Sequence, residues 1–145
     1  GVHLGRQPLQ CIVLSHGLDR LQSTIEQRNR NALILDADLS QINGVTVPER
    51  LNGYTETFAL YMVLCERRDQ LISYLHNHEI EAKIHYPIAL HQQEAAQSGC
   101  KFDPNALPAA TYQADHLITL PVHQFLDENH MNYMVEKIKA FYEHS

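Results

Sequence analysis

On the stretch Ile80-Glu81-Ala82-Lys83-Ile84-His85-Tyr86-Pro87-Ile88-Ala89-Leu90-His91-Gln92-Gln93 rests the reading of the whole chain. Its first seven residues alternate. Ile80, Ala82, Ile84 and Tyr86 fall on one face of a strand; Glu81, Lys83 and His85 fall on the other. Pro87 removes a backbone donor and fixes its own φ, which ends the strand. His85 is thereby placed at a strand end facing away from the apolar side, with a second imidazole, His91, in the loop that follows. Binding and catalytic groups favour loops and element ends held by a rigid scaffold. A solvated His85 beside a simple strand stop is the plainer alternative.

Before this stretch, Glu66 to His78 has helical periodicity, with Leu71, Ile72 and Leu75 inward and Arg67, Arg68 and Gln70 outward. Thr57 to Cys65 is too apolar for one wet face and is expected to be a central strand. Strand, helix, strand with short links predicts a right-handed crossover and parallel pairing, unless a further strand lies between the two. Asn43-Gly44 and Asn52-Gly53 are turn signals bracketing Val45 to Pro48. From Leu9 to Leu39 the apolar residues recur at helical spacing. If unbroken, this run would reach about 46 Å, longer than a small domain needs for itself. Gly17 and the capping-box pattern Ser23-x-x-Glu26 point to a break near residues 17 to 22. The helix then reads as a spine packed on something else, or as a two-helix hairpin.

After the His85–Gln93 region, Glu94 to Ser98 fits one helical turn, Pro108 can open a helix to Leu117, and Leu120-Pro121-Val122-His123 is short and extended. The last helix has Asp127 as N-cap and a Leu126–Met131 staple. Its apolar stripe is Met131, Met134, Val135, Ile138, Phe141 and Tyr142.

The 145 residues are enough for one domain with a real core, and the 44% hydrophobic and 19% charged fractions are those of a globular protein. A net charge of −6 without clustered Lys and Arg argues against a nucleic-acid surface. No apolar run approaches the ~20 residues of a membrane span, and no secretion signal is visible, so a cytoplasmic setting is expected. Cys11, Cys65 and Cys100 show no C-x-x-C and read as free thiols, two buried and one in a loop. Ten scattered histidines lack any zinc spacing, so no metal site is expected, although one assembled from distant histidines stays open.

Several segments together resemble the DegT/DnrJ/EryC1/StrS family, pyridoxal-phosphate sugar aminotransferases of fold type I. Ile84-His85-Tyr86-Pro87 followed by Ala89-Leu90-His91 is similar to the family's I-H-Y-P and P-L-H, with Ala89 in the proline's place. Ile118-Thr119-Leu120-Pro121-Val122-His123 resembles L-S-L-P-x-H, and Phe141-Tyr142 resembles the closing F-Y. Gly1 to Gln10 aligns with G-Y-N-Y-R-M-S-E-L-Q.

The resemblance implies an α/β (α+β) fold: a long N-terminal linking helix, then a small open sheet covered by helices, as in the small domain of fold-type I enzymes. Residues 1–42 would be the loop and linking helix, and 43–145 the small domain of a larger chain. In relatives an asparagine reaches the cofactor phosphate; here His3 holds that position, Gly5 stands where the family has arginine, and Arg6 is the substitute cation. His3 and Arg6 are therefore the implied cofactor contacts, and His85, Tyr86 and His91 the implied substrate contacts.

The Schiff-base lysine belongs to the large domain, and none of Lys83, Lys101, Lys137 or Lys139 has a matching context. No catalytic residue is assigned, and pyridoxal 5'-phosphate is expected in the parent, not on this fragment. Implied partners are a nucleotide sugar, an amino-acid donor and a second copy, with no membrane or nucleic acid. A sugar dehydratase of the same fold and a stand-alone binding or regulatory module remain open.

Overall fold

The computed structural model describes residues 7–99, 103 and 106–143. Two helices open it, α1 (Gln7–Leu18) and α2 (Leu21–Leu39). The expected break falls at Asp19-Arg20. No capping box makes it: Arg20 occupies the N-cap of α2 without a side-chain bond, and the Ser23 hydroxyl donates back to the Arg20 carbonyl at 2.9 Å. The inner half of α2 buries Ala32, Leu35 and Leu39, whereas every side chain from Pro8 to Ser23 is exposed. Cys11 is exposed with them, which corrects its reading as a buried thiol; Cys65 is buried, and Cys100 lies outside the described residues.

Both Asn-Gly turns adopt the backbone that glycine permits, with φ of +93° at Gly44 and +82° at Gly53. Gly44 also lies against the Tyr142 ring, where an added Cβ would come within 2.7 Å of Cε1. The Tyr142 hydroxyl donates to the Glu66 carbonyl at 2.6 Å, fastening the end of the last helix to this turn.

Strands β1 (Val45–Thr46), β2 (Tyr61–Cys65) and β3 (Leu117–Leu120) form one sheet in that order, antiparallel throughout. Val45 pairs with Cys65; Tyr61 pairs with Leu120 and Leu64 with Leu117. The central strand is shorter than Thr57–Cys65, because Thr57 to Leu60 run irregularly into it. Helix α3 (Arg68–Asn77) follows β2 and buries Leu71 and Leu75.

The 80–86 segment does not pair with β2. It contributes a single bridge, Lys83 with Thr119, in which the Lys83 N–H donates to the Thr119 carbonyl at 3.0 Å and the Thr119 N–H returns at 2.7 Å. β3 therefore lies between β2 and this edge, the one arrangement that removes direct parallel pairing, so the sheet is α+β in character. The alternation itself holds from Ile80 to Lys83, with Ile80 and Ala82 buried and Glu81 and Lys83 exposed.

Helices α4 (Glu94–Gly99), α5 (Pro108–His116) and α6 (Glu128–Glu143) complete the chain. Pro108 opens α5, where its missing donor costs nothing. Arg68, expected outward, is 10% exposed. It donates to the Ala114 carbonyl, tying α3 to α5, and pairs with Asp69 at 2.9 Å. α6 is capped as its sequence indicates: Asp127 Oδ1 accepts the His130 N–H at 3.1 Å, and the His130 imidazole lies 2.6 Å from the same oxygen. Those bonds, the backbone one first, hold the Asp127 carboxyl below its usual range. Met131, Met134, Ile138 and Phe141 face α2 and the sheet in one core.

Beside this core lies a charged knot. Arg50 grips Asp36 with two nitrogens, at 2.9 and 3.0 Å, and the Tyr61 hydroxyl donates to Asp36 at 2.7 Å. Burial first, and then the bond to the carboxylate, raise the Tyr61 phenol well above its ordinary value. The Arg50 guanidinium also lies 5.0 Å from the Phe58 ring centre, which fixes the start of the 58–60 segment.

Candidate functional site: a cationic cleft at the sheet edge

The side chains around the 83–85 edge, β3 and its following loop enclose a cleft of about 230 Å³. His85 stands on one wall and donates to or accepts from Thr119, with Nδ1 at 3.0 Å from Oγ1. That bond leaves Nε2 as the ring nitrogen available to a ligand. Lys83 lies beside it, its ammonium 2.6 Å from Glu81, and that contact lowers the Glu81 carboxyl. His123 joins from the loop after β3. Arg28 enters from α2, donating to the Gln124 side chain at 3.3 Å through both Nε and Nη2 and to the Phe58 carbonyl at 3.4 Å. Phe58, Leu120 and Val122 make the apolar side.

Asn31, one turn beyond Arg28, is 1% exposed and sets the loop that carries His123. Its amide donates toward the carbonyls of Val122, His123 and Leu126 at 3.4, 3.3 and 3.1 Å, and its oxygen accepts from Gln27 at 3.0 Å. A buried polar group so fully occupied holds a backbone segment in one place.

The structure divides the three residues assigned to substrate. His85 lines the cleft. Tyr86 and His91 lie across the edge, in an apolar groove of about 480 Å³ bounded by Leu90, Leu107 and Leu117. Tyr86 is 75% exposed, and its ring meets the His85 ring edge-on at 6.0 Å. His91 is 8% exposed, with Nε2 3.0 Å from the Thr111 hydroxyl, which itself donates to the Leu107 carbonyl. His3 and Arg6 lie outside the described residues.

A further groove, of about 470 Å³, opens beyond His123 toward α6. Two of its three histidines are already engaged, His78 with the Tyr74 carbonyl at 2.8 Å and His130 with Asp127. Among the described residues, no three His, Cys, Asp or Glu side chains gather as metal donors. No described helix is long and apolar enough to cross a membrane.

Sequence reasoning missed Arg28, Asn31, Thr119 and Gln124. A signal existed for the first two: Glu26 to Asn31 is an unbroken polar run in the middle of α2, directly before the apolar Ala32 to Leu35.

The chain is similar to known proteins along most of its length. The family model of the DegT/DnrJ/EryC1/StrS aminotransferases matches residues 6–139, and the chain belongs to that family. A pleiotropic regulatory protein of Geobacillus stearothermophilus is 30% identical over 138 residues, covering 94% of this chain and 37% of the relative. The dTDP-3-amino-3,4,6-trideoxy-alpha-D-glucose transaminase of Streptomyces venezuelae is 26% identical over 135 residues, 93% of this chain and 35% of the enzyme. The crystal structure of S. venezuelae DesV in complex with a ketimine intermediate superposes with a TM-score of 0.84 at 25% identity, over 90% of this chain and 35% of that one. The chain thus spans little more than a third of the length of these relatives.

The described residues do not by themselves fit pyridoxal phosphate, the cofactor of this family. That group needs a lysine to hold it covalently and a carboxylate against its ring nitrogen. Lys83, Lys137 and Lys139 each lie beside a carboxylate on the surface, at 2.6, 2.8 and 3.7 Å. Glu81, which lines the cleft, is paired with Lys83.

Proposed function

We propose that this chain is the smaller, C-terminal lobe of a pyridoxal-phosphate-dependent nucleotide-sugar aminotransferase, in which residues 1–42 link to the cofactor-bearing lobe and 43–145 close over the substrate. One observation carries the reading: nearly the whole chain aligns with about a third of a sugar-nucleotide transaminase, and the cationic cleft lies inside the aligned span. His85 meets substrate through Nε2, held in orientation by Thr119. Tyr86 extends that wall outward, and His91 acts by fixing the loop that bears it. His3 and Arg6 approach the cofactor phosphate. The exposed apolar residues of α1 support a further lobe or second copy packing there.

The chemistry of nitrogen transfer belongs to residues outside this chain; what the cleft supplies is binding and orientation, which alone account for large rate factors. The test has two arms. Incubated with pyridoxal phosphate and reduced with borohydride, the 145-residue chain should gain no covalent pyridoxyl group, whereas the full-length parent should gain one on a lysine outside this span. In the parent, His85→Ala should raise the KM for the sugar by about tenfold. A stoichiometric adduct on this chain, or a parent without one, would end the proposal. The latter result favours a non-catalytic regulatory role, the reading to which the Geobacillus relative's name points.

A further inference from the structure

Arg28 is the one cation of the cleft whose contacts are all neutral. Lys83 has Glu81 beside it, but Arg28 makes no ion pair among the described residues; its acceptors are an amide oxygen and a backbone carbonyl, at 3.3 to 3.4 Å. A guanidinium carries five N–H groups, and these contacts occupy three. The head is half-buried, so its charge is only partly screened by water. Gln124 and Phe58 hold the plane of the fork, and His85, Thr119 and His123 line the same cleft. We infer that Arg28 is the specificity-determining residue of this site, and that it receives an oxyanion of the substrate in the two-pronged geometry that arginine offers to carboxylate and phosphate.

The size of the cleft restricts the ligand further. About 230 Å³ is below the range of sites that enclose a whole drug-sized molecule. It suits one charged group of a longer substrate, with the remainder lying outside. Two sources have this chemistry, the phosphate of a nucleotide sugar and the carboxylate of an amino donor. The inference rests on the aminotransferase reading for those sources, but the oxyanion site itself is a property of this chain.

The test uses the 145-residue chain at low ionic strength, titrated separately with pyrophosphate and with glutarate and followed by the imidazole resonances of His85 and His123. Saturable shifts at both rings are expected, and the tighter probe assigns the source. Arg28→Gln should weaken that probe by about tenfold or more, with the difference shrinking as salt is added. No saturable shift with either probe, or unchanged affinity in Arg28→Gln, would overturn the assignment.

Should Arg28→Gln fail to fold, Arg28→Lys carries the same test. It keeps the charge and loses the fork, so undiminished affinity in it would also overturn the assignment. Arg28-dependent oxyanion binding in this chain, together with a parent that forms no lysine adduct, would remove the aminotransferase reading and leave the site standing. The converse would remove only the site.

Discussion

Helix α1 and the inner half of α2 are built from similar residues and have opposite fates. Leu9, Ile12, Val13, Leu14 and Leu18 are 66 to 71% exposed, while Leu35 and Leu39 are wholly buried. Helix propensity does not separate them, since leucine is a strong helix former in either place. The difference is what each helix meets: α2 finds α6 and the sheet within its own chain, and α1 does not. Burial is therefore a property of the encounter and not of the residue type.

The sharpest way to break this comparison is a pair of identical truncations. Leu35→Ala should lower the stability of the chain by about 3 kcal/mol, from lost transfer energy and the cavity left behind. Leu14→Ala should change it by less than about 0.5 kcal/mol. Urea unfolding at low protein concentration reads both, and equal losses would mean that α1 shares the core.

Asp36→Ala comes next. It strands the Tyr61 hydroxyl and removes the two bonds from Arg50, and a loss of about 2 kcal/mol is expected in the same assay.

A pH series examines the core side alone. Burial pushes the Cys65 thiol up to about 12, so the fold favours its protonated form. The unfolded chain ionises this thiol near pH 8.5, so the contribution is complete below that pH and is lost as pH climbs toward the folded value. Stability should fall by about 2 kcal/mol between pH 8.5 and 10, and Cys65→Ala should flatten that slope. The raised phenol of Tyr61 acts with the same sign, beginning near pH 10.

The smallest core-side effect belongs to the α6 cap. Asp127→Ala should cost about 1 kcal/mol, seen as a lower urea midpoint with unchanged slope.

Much of this architecture was legible in the chain because its signals are local. Pro108 at the start of α5, Asp127 before α6, the two Asn-Gly turns and the stripe from Met131 to Phe141 depend only on neighbours a few residues away. The family resemblance carried by the His85 and His123 motifs was equally local. Pairing was not legible. Nothing within Ile80 to Tyr86 indicates that β3, more than thirty residues later, takes the place beside β2, and so the predicted parallel neighbour became a single bridge to Thr119.

The cleft was half legible for a related reason. His85 announced itself at the end of an alternating run before proline, while Arg28 and Asn31 acquire their roles only where α2 meets the loop after β3. Arg68 was misread because an arginine at a helix start usually faces water, and this one found the Ala114 carbonyl.

The two described thiols sit on opposite sides of the same divide, Cys11 on the bare helix and Cys65 at 1% exposure in the sheet. The molecule thereby carries a built-in clock. An alkylating reagent marks Cys11 at the reagent's own speed and reaches Cys65 only through openings of the central strand. Mass spectrometry of timed samples then reads those openings from the rate at which Cys65 gains the label, with Cys11 as the internal reference.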